Sequence, residues 1–96
     1  MVLYAVFWEF KAEDMNKVIP VFRKMVELRG TGNYPKATTP TYTYYGENSG
    51  FTIYDIKDPK EVMLHYTHYH PFIKFTWKPL YEATDWIATY EKNKKR

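Results

Sequence analysis

The three histidines of the chain, His65, His68 and His70, lie within six residues. On a helix, His65 and His68 are about 60° apart and His70 is about 140° from His65, because each residue turns by about 100°. Three imidazoles in this arrangement do not converge on one metal ion, and no carboxylate is marked as a further ligand. We therefore predict no metal and no cofactor. A pair made by His65 and His68 is the alternative that the spacing leaves open.

His70 is the best single candidate for a catalytic residue. It ends a predicted helix directly before Pro71, where its side chain can face a cavity between the helices and the sheet. A neutral imidazole there would accept or donate a proton near neutral pH. The alternative is a structural role, in which His70 interacts with the last carbonyl groups of its helix.

Aromatic residues make up 20% of the chain, which favours strands, interfaces and ligand cavities. Six rings are predicted to line a cavity for a small aromatic or apolar molecule: Tyr4, Trp8, Tyr42, Tyr44, Tyr66 and Trp77. The alternative is that the rings only pack a protein interface. Glu9 is the one carboxylate in an apolar segment, and it becomes a candidate base if it is buried.

Several residue types are absent or rare. Cysteine is absent, which excludes disulfides, thiolate metal sites and cysteine nucleophiles. Ser49 is the only serine and lies in a glycine-rich turn, so a serine hydrolase is not predicted. Glutamine is also absent, and Lys and Glu dominate the charges, which is typical of a heat-adapted source.

The net charge of +3 is concentrated at the C-terminal end, where Lys92, Lys94, Lys95 and Arg96 fall in the last five positions. We interpret residues 92–96 as a basic tail that follows a single domain over residues 1–91. The body is close to neutral, which argues against nucleic-acid binding. With no apolar run of about 18 residues and no leader at Met1, we expect a cytoplasmic protein with no membrane partner.

The patterning predicts six main elements in the order β-α-β-β-α-β. The strands are predicted over residues 2–10, 41–45, 51–56 and 73–81, and the helices over residues 13–29 and 58–70. Gly30 is the predicted C-cap of the first helix, and Asp58, Pro59 and Glu61 begin the second. Residues 31–41 are predicted to be a loop. Residues 85–92 fit a helix or a strand equally well.

This order indicates an α+β, ferredoxin-like fold, with a four-stranded antiparallel sheet and two helices on one face. The first helix has an apolar stripe that ends at Arg29, and the second is expected to bury Val62, Tyr66 and Tyr69, with His65 and His68 at the margin and in solvent. The bare sheet face is expected to carry Tyr42, Tyr44, Phe51, Ile53, Phe75 and Trp77. A surface of this kind requires a partner, so we predict a homodimer formed sheet to sheet.

The element order, the chain length and the aromatic open face resemble the dimeric α/β-barrel superfamily. This superfamily includes antibiotic-biosynthesis-type monooxygenases, haem-degrading monooxygenases and small stress-responsive proteins. Tyr66, His70 and Pro71 match the end of the second helix in the stress-responsive branch. The Asn-Trp-His trio of the haem-degrading branch is not recognisable, and Trp8 stands where its Asn would be sought. The nearest overall similarity is to an uncharacterised branch. The resemblance implies a sheet-to-sheet barrel and a cavity in each protomer.

Three functions follow as expectations. The first is binding of a small aromatic or apolar molecule, or a cofactor-free oxygenase-like reaction, in the cavity between sheet and helices. The second is a non-catalytic assembly module. The third is RNA binding, because the RNA-recognition fold has the same element order and residues 50–54 partly resemble its third strand. Ser49 and Ile53, however, stand where that signature has a basic and an aromatic residue.

Overall fold

Two long antiparallel pairings organise the sheet. The computed structural model describes residues 2–94, in which β1 (Val2–Phe10) lies between β4 (Ser49–Ile56) and β5 (Ile73–Pro79). β5 is an edge strand and ends at Pro79, two residues before the predicted end, which is consistent with the missing N–H of proline. Within residues 2–94 the fold is α+β, with an open antiparallel sheet of five strands and three helices.

The other edge of the sheet is broken into two short pieces. β2 (Lys36–Ala37) and β3 (Tyr42–Thr43) both pair with β4. Between them, the backbone N–H of Thr38 donates to the Ile53 carbonyl over 2.8 Å, and the Ile53 N–H donates to the Thr39 hydroxyl over 3.1 Å. A side-chain hydroxyl thus replaces a backbone acceptor and interrupts the ladder.

The short strands β2 and β3 make the sheet differ from the predicted one. The hairpin between the predicted second and third strands is confirmed by the pairing of β3 with β4. The prediction of four strands and two helices was wrong, and so was the prediction of residues 31–41 as a plain loop, because they contain β2. A two-residue strand gives no alternation of apolar and polar positions, so the sequence pattern does not reveal it.

The first helical segment begins with a 3₁₀ turn, Ala12–Asp14, and continues as α1 (Met15–Leu28). Pro20 lies inside α1 rather than in its first turn. The helix ends as predicted, because Arg29 leaves helical geometry and Gly30 follows with a φ of +76°. Arg29 thereby stands at the C-terminal end of α1, where the chain turns back towards the sheet.

The second helix, α2 (Pro59–Tyr69), has the predicted N-terminus. The Asp58 carboxylate accepts from the Lys60 N–H over 2.9 Å. The Glu61 carboxylate accepts from the Lys57 N–H over 2.9 Å, one residue before the position that a capping box would use.

The prediction of the residues that form the buried stripe of α2 was wrong for Tyr66 and His65. The buried residues are Glu61, His65 and Tyr69, whereas Tyr66 is exposed. His65 and Tyr69 are four residues apart and share one helix face, and His65 is tolerated in the core because the Tyr54 hydroxyl pairs with it. Apolar character alone does not reveal such a polar pair.

The two faces of the sheet differ in what covers them. α1 and α2 cover the face that carries Val6, Trp8, Tyr54, Ile73 and Phe75, with Tyr4 and Trp77 at its edge. Register then places the neighbouring residues on the bare face, which we call the open face: Leu3, Ala5, Phe7, Phe51, Ile53, Tyr42 and Tyr44. Phe75 and Trp77, expected on the open face, lie under the helices instead, since they pair with Trp8 and Val6.

Residues 83–94 form a third helix, α3 (Ala83–Lys94), which decides between the two structures predicted for this segment. α3 has no buried residue and exposes Trp86, Ile87 and Tyr90. Of the predicted basic tail, Lys92 and Lys94 are in the last turn of α3, while Lys95 and Arg96 lie outside the described residues. None of the helices described in residues 2–94 has the length and apolar character needed to cross a membrane.

Replacement of Gly50 by Ala should destabilise the fold. A β-carbon at Gly50 would lie 2.6 Å from Trp8 Cζ2 and 2.9 Å from Thr43 Cα, so the indole and β3 would have to move. We expect a loss of about 1–3 kcal/mol in the free energy of unfolding, measured with urea. Ser49→Ala, at the adjacent position, should change stability by less than about 0.5 kcal/mol. Equal stability of Gly50→Ala and the wild type would contradict this packing.

Candidate functional site

A cavity of about 460 Å³ lies between the helix-covered face of the sheet and α1. Its walls are mostly apolar and come from the sheet, α1 and α2. The main apolar contributors are Val6, Trp8, Phe10, Val18, Ile19, Phe22, Tyr69 and Phe75. Polar residues share the same lining: Arg29, Thr41, Thr52, Tyr54 and His65, together with Arg23, Thr43, Glu47 and Asn48. An apolar chamber with a few polar groups is the usual composition of a small-molecule site.

Arg29 brings a positive charge into this lining. Its guanidinium carbon is 5.5 Å from the ring centroids of both Phe22 and Tyr54, so two aromatic rings contact the cation. Its Nη2 donates to the Thr41 hydroxyl over 2.6 Å. The C-terminal position of Arg29 on α1 allows this, because the backbone there has already left the helix.

Two threonines extend the polar group across the sheet. The Thr52 hydroxyl donates to the Thr41 hydroxyl over 2.8 Å, and the Thr41 oxygen therefore accepts from both Thr52 and Arg29. Thr52 is buried on β4, and Thr41 directly precedes β3. The broken sheet edge thus supplies the anchor of the guanidinium.

His65 is the imidazole of the cavity. It is 2% exposed, and its Nε2 lies 3.1 Å from the Tyr54 hydroxyl. The rings of Tyr54, Tyr69, Phe75 and Trp77 surround it at centroid distances between 4.7 and 5.1 Å. Burial, with smaller effects from the charges of Arg29 and His68, lowers the pKa of His65 from 6.5 to about 3. His65 is therefore neutral at physiological pH.

The tyrosines of the cavity are also neutral. Burial raises the pKa of Tyr54, and the positive charge of Arg29 partly opposes that effect. Burial likewise raises the pKa of Tyr69. At neutral pH the guanidinium of Arg29 is therefore charged, whereas the side chains of Tyr54, Tyr69 and His65 are neutral.

Three polar atoms of the lining residues are buried without a hydrogen-bond partner. They are Trp8 Nε1, Arg29 Nε and His65 Nδ1. Trp8 Nε1 and Arg29 Nε are always donors, whereas the role of His65 Nδ1 depends on the tautomer that Tyr54 selects. All three atoms are enclosed by protein atoms, so the lining side chains would have to move before a ligand could bind to them.

Of the six rings predicted to line a ligand cavity, the structure brings only Trp8 into the lining. Tyr4 and Trp77 pack edge to face, 6.3 Å apart, beside Val6 and Tyr54. Tyr42 and Tyr44 lie on the open face against Phe51. Tyr66 is exposed on α2, where its ring lies 5.3 Å from that of His70.

His70, the predicted catalytic residue, is exposed at the end of α2 and is not part of the cavity lining. His68 Nε2 bonds to the Val21 carbonyl over 2.8 Å and joins α2 to α1. Glu9 is exposed and lies 3.7 Å from Lys74. Among residues 2–94, no group of three or more His, Cys, Asp or Glu side chains is placed to hold a metal ion.

The sequence interpretation missed Arg29, Thr41, Thr52, Tyr54 and His65 as site residues. A signal for Arg29 was available, since it occupies the last position of the apolar stripe of the first helix. A positively charged side chain that shares the helix face of an apolar stripe is expected to pack against the same surface as the stripe. The pairing of His65 with Tyr54 carries no comparable signal, because it depends on the contact between α2 and β4.

One protein family model matches residues 2–94, which is nearly the whole chain. It is described as a domain of unknown function, DUF3303. No curated protein matches the chain.

The neutral, buried state of His65 should make the protein sensitive to acid. The unfolded chain takes up this proton below pH 6.5, whereas the folded protein does so only near pH 3. The contribution of His65 is thus complete above pH 6.5 and is lost as the pH falls towards 3. Between pH 7 and pH 5, His65 should reduce the free energy of unfolding by about 2 kcal/mol.

Urea unfolding of His65→Gln at both pH values measures this contribution. The variant has no imidazole at this position and should lose less stability on acidification than the wild type. His70→Gln, which removes an exposed histidine one turn further along, should retain the wild-type loss. The same acid sensitivity in His65→Gln and the wild type would refute the assignment.

Proposed function

We propose that this chain, which belongs to the DUF3303 family, binds a small and mainly apolar molecule in the cavity between its sheet and its helices. The observation that carries the proposal is a cavity of about 460 Å³ with mostly apolar walls, to which Arg29 contributes a positive charge. Ligand sites generally have volumes of about 300–1,000 Å³, apolar walls and a few polar groups.

The size of the chamber distinguishes a binding site from ordinary core packing. Protein interiors are packed as densely as organic crystals, with few voids larger than a water molecule. The buried side chains around the chamber, such as Val18, Tyr54 and His65, are held by packing and hydrogen bonds and do not fill it. The cavity is partly open to solvent, and apolar walls that face water favour a ligand that covers them.

Binding is better supported than an oxygenase-like reaction. His70, the imidazole expected to move protons, lies outside the lining. His65 is inside, but burial opposes its protonation and its Nε2 is engaged by Tyr54. A general base has to reach the ligand with a free nitrogen, and for His65 that leaves Nδ1 alone.

Filling the chamber should abolish binding. Val18 lines the cavity from α1, so Val18→Trp would place an indole in the space that a ligand needs. With the neutral probe 2-naphthalenemethanol, followed by ligand-observed NMR, we expect at least a tenfold loss of affinity in this variant. Thermal unfolding monitored alongside shows whether the variant remains folded.

Val26→Trp is the matched control for this experiment. Val26 is also on α1 but is 49% exposed and does not line the cavity, so its variant should bind like the wild type. Equal affinity of Val18→Trp and Val26→Trp would show that the probe does not bind in the chamber. Absence of probe binding to the wild type would count against the proposed function.

We also propose that the chain assembles as a homodimer through the open face, as in the barrel arrangement of ferredoxin-like domains that the sequence resembles. Two apolar surfaces lack a partner within residues 2–94. One is the open face, on which Phe7, Phe51 and Tyr42 pack side by side. The other is the row of Trp86, Ile87 and Tyr90 on α3, whose spacing of three and four residues places them on one side of the helix.

The shape of the chain supports this assembly. The radius of gyration is 15.9 Å, whereas a compact domain of this length has one of about 13 Å. The difference agrees with a third helix that buries nothing on its own protomer. A second copy supplies a surface of matching apolar character for both the open face and α3.

A charge on the open face should dissociate the homodimer. Tyr42 and Tyr66 are 48% and 47% exposed, and they lie on the open face and on α2 respectively. Tyr42→Glu would bury an unpaired carboxylate in the interface, and we expect a monomer in sizing chromatography with light scattering. Tyr66→Glu makes the same chemical change away from the interface and should remain a dimer. A dimeric Tyr42→Glu would contradict this interface.

A further inference from the structure

We infer that the ligand of the cavity carries a carboxylate group, which the guanidinium of Arg29 binds. The inference rests on the proposed function and specifies its ligand as an apolar or aromatic carboxylic acid. It follows from the charge and the fixed position of Arg29 and from the neutral or apolar character of the side chains around it.

The charge of Arg29 has no carboxylate partner in residues 2–94. The ion pairs in this part of the chain join Lys17 to Asp14, Lys24 to Glu27 and Lys74 to Glu9, all of them on the surface. Transfer of a cation among aromatic rings costs free energy unless an anion or several acceptors compensate for the lost water. The Thr41 hydroxyl, to which Arg29 donates, and the Tyr54 hydroxyl beside it are both neutral, so no anion balances the charge of Arg29 in this part of the chain.

The guanidinium is held in a position that suits a planar anion. The rings of Phe22 and Tyr54 contact it at equal distances of 5.5 Å, and Thr41 anchors Nη2 over 2.6 Å. Nε is buried and has no partner. A carboxylate can accept two parallel bonds from the Nη groups of a guanidinium, in a fork geometry that a neutral oxygen does not match.

The other groups of the lining are compatible with an anionic ligand. His65 is neutral and so does not repel Arg29. Glu47 is the carboxylate in the lining, but it is exposed and close to the Ser49 hydroxyl, at 3.3 Å.

The apolar walls define the rest of the molecule. Val18, Phe22 and Phe75 offer no hydrogen bonds, so the part of the ligand beyond the carboxylate has to be hydrocarbon or aromatic. A phosphate dianion would require a second cation beside Arg29, and the other arginine of the lining, Arg23, is exposed. A monoanionic carboxylate is therefore the anion that the single, half-buried guanidinium of Arg29 balances.

The test compares two probes that share a naphthalene ring. 2-Naphthoate carries the carboxylate, and 2-naphthalenemethanol is its neutral counterpart. Their dissociation constants at pH 7 are measured by ligand-observed NMR on the full chain. We expect 2-naphthoate to bind the wild type at least tenfold more tightly than the alcohol. In Arg29→Met this ratio should fall close to one, while the alcohol still binds and thereby shows that the cavity is intact.

Two further variants keep the test decisive. Lys24→Met removes an exposed positive charge from the same helix and should leave the ratio unchanged, which separates a specific contact from general attraction by net charge. Arg29→Lys keeps the charge but not the fork, and it should retain only part of the preference. If Arg29→Met does not fold, the reduced preference of Arg29→Lys for 2-naphthoate tests the inference instead.

The outcomes distinguish this inference from the proposed function. Equal binding of both probes to the wild type, or an unchanged ratio in Arg29→Met, would overturn the carboxylate assignment and leave small-molecule binding in place. Failure of both probes to bind the wild type would overturn the proposed function together with this inference. A ratio that falls equally in Lys24→Met and Arg29→Met would also overturn the assignment.

Discussion

A guanidinium placed among aromatic rings is the constraint from which the rest of the site follows. Arg29 lies between Phe22 and Tyr54, and the Thr41 hydroxyl binds it. The half-buried guanidinium has one threonine hydroxyl as an acceptor, which the broken sheet edge provides because the segment before β3 turns Thr41 inward. The burial that accommodates the rings also keeps Tyr54 protonated and His65 uncharged. The broken sheet edge, the aromatic rings and the charge of Arg29 thus all lie on the side of β4 that carries Thr52 and Tyr54.

The elements that the sequence predicted well are those with long and regular patterns. The first strand, the two main helices and the strand that ends at Pro79 are confirmed, because each has a period or a cap that acts locally. The α+β class and the antiparallel sheet follow from their order. β2 and β3 are two residues long and depend on pairing with β4, so no local pattern specifies them.

The site was harder to predict than the fold for a related reason. Trp8 was assigned to a cavity from its residue type, but Tyr42 and Tyr44 are equally aromatic and lie on the opposite face of the sheet. Side-chain type does not determine the face, which depends on strand register. His65 was predicted to lie at the margin of the buried stripe of α2. Its burial is explained by its contact with the Tyr54 hydroxyl. The predicted catalytic position of His70 and the predicted homodimer remain predictions.

The register of β1 against β4 links the cavity to the open face. Trp8 pairs with Gly50 and Phe7 pairs with Phe51, so adjacent residues of each strand serve opposite surfaces. Gly50 has no side chain, which leaves room for the indole of Trp8 on the cavity side. Phe51 meanwhile packs against Phe7, Tyr42 and Tyr44 on the other side. A shift of one residue would exchange the two faces and bring Phe51 into the place of Gly50. Gly50 therefore favours this register, in which one face of the sheet lines the cavity and the other carries the rings of the open face.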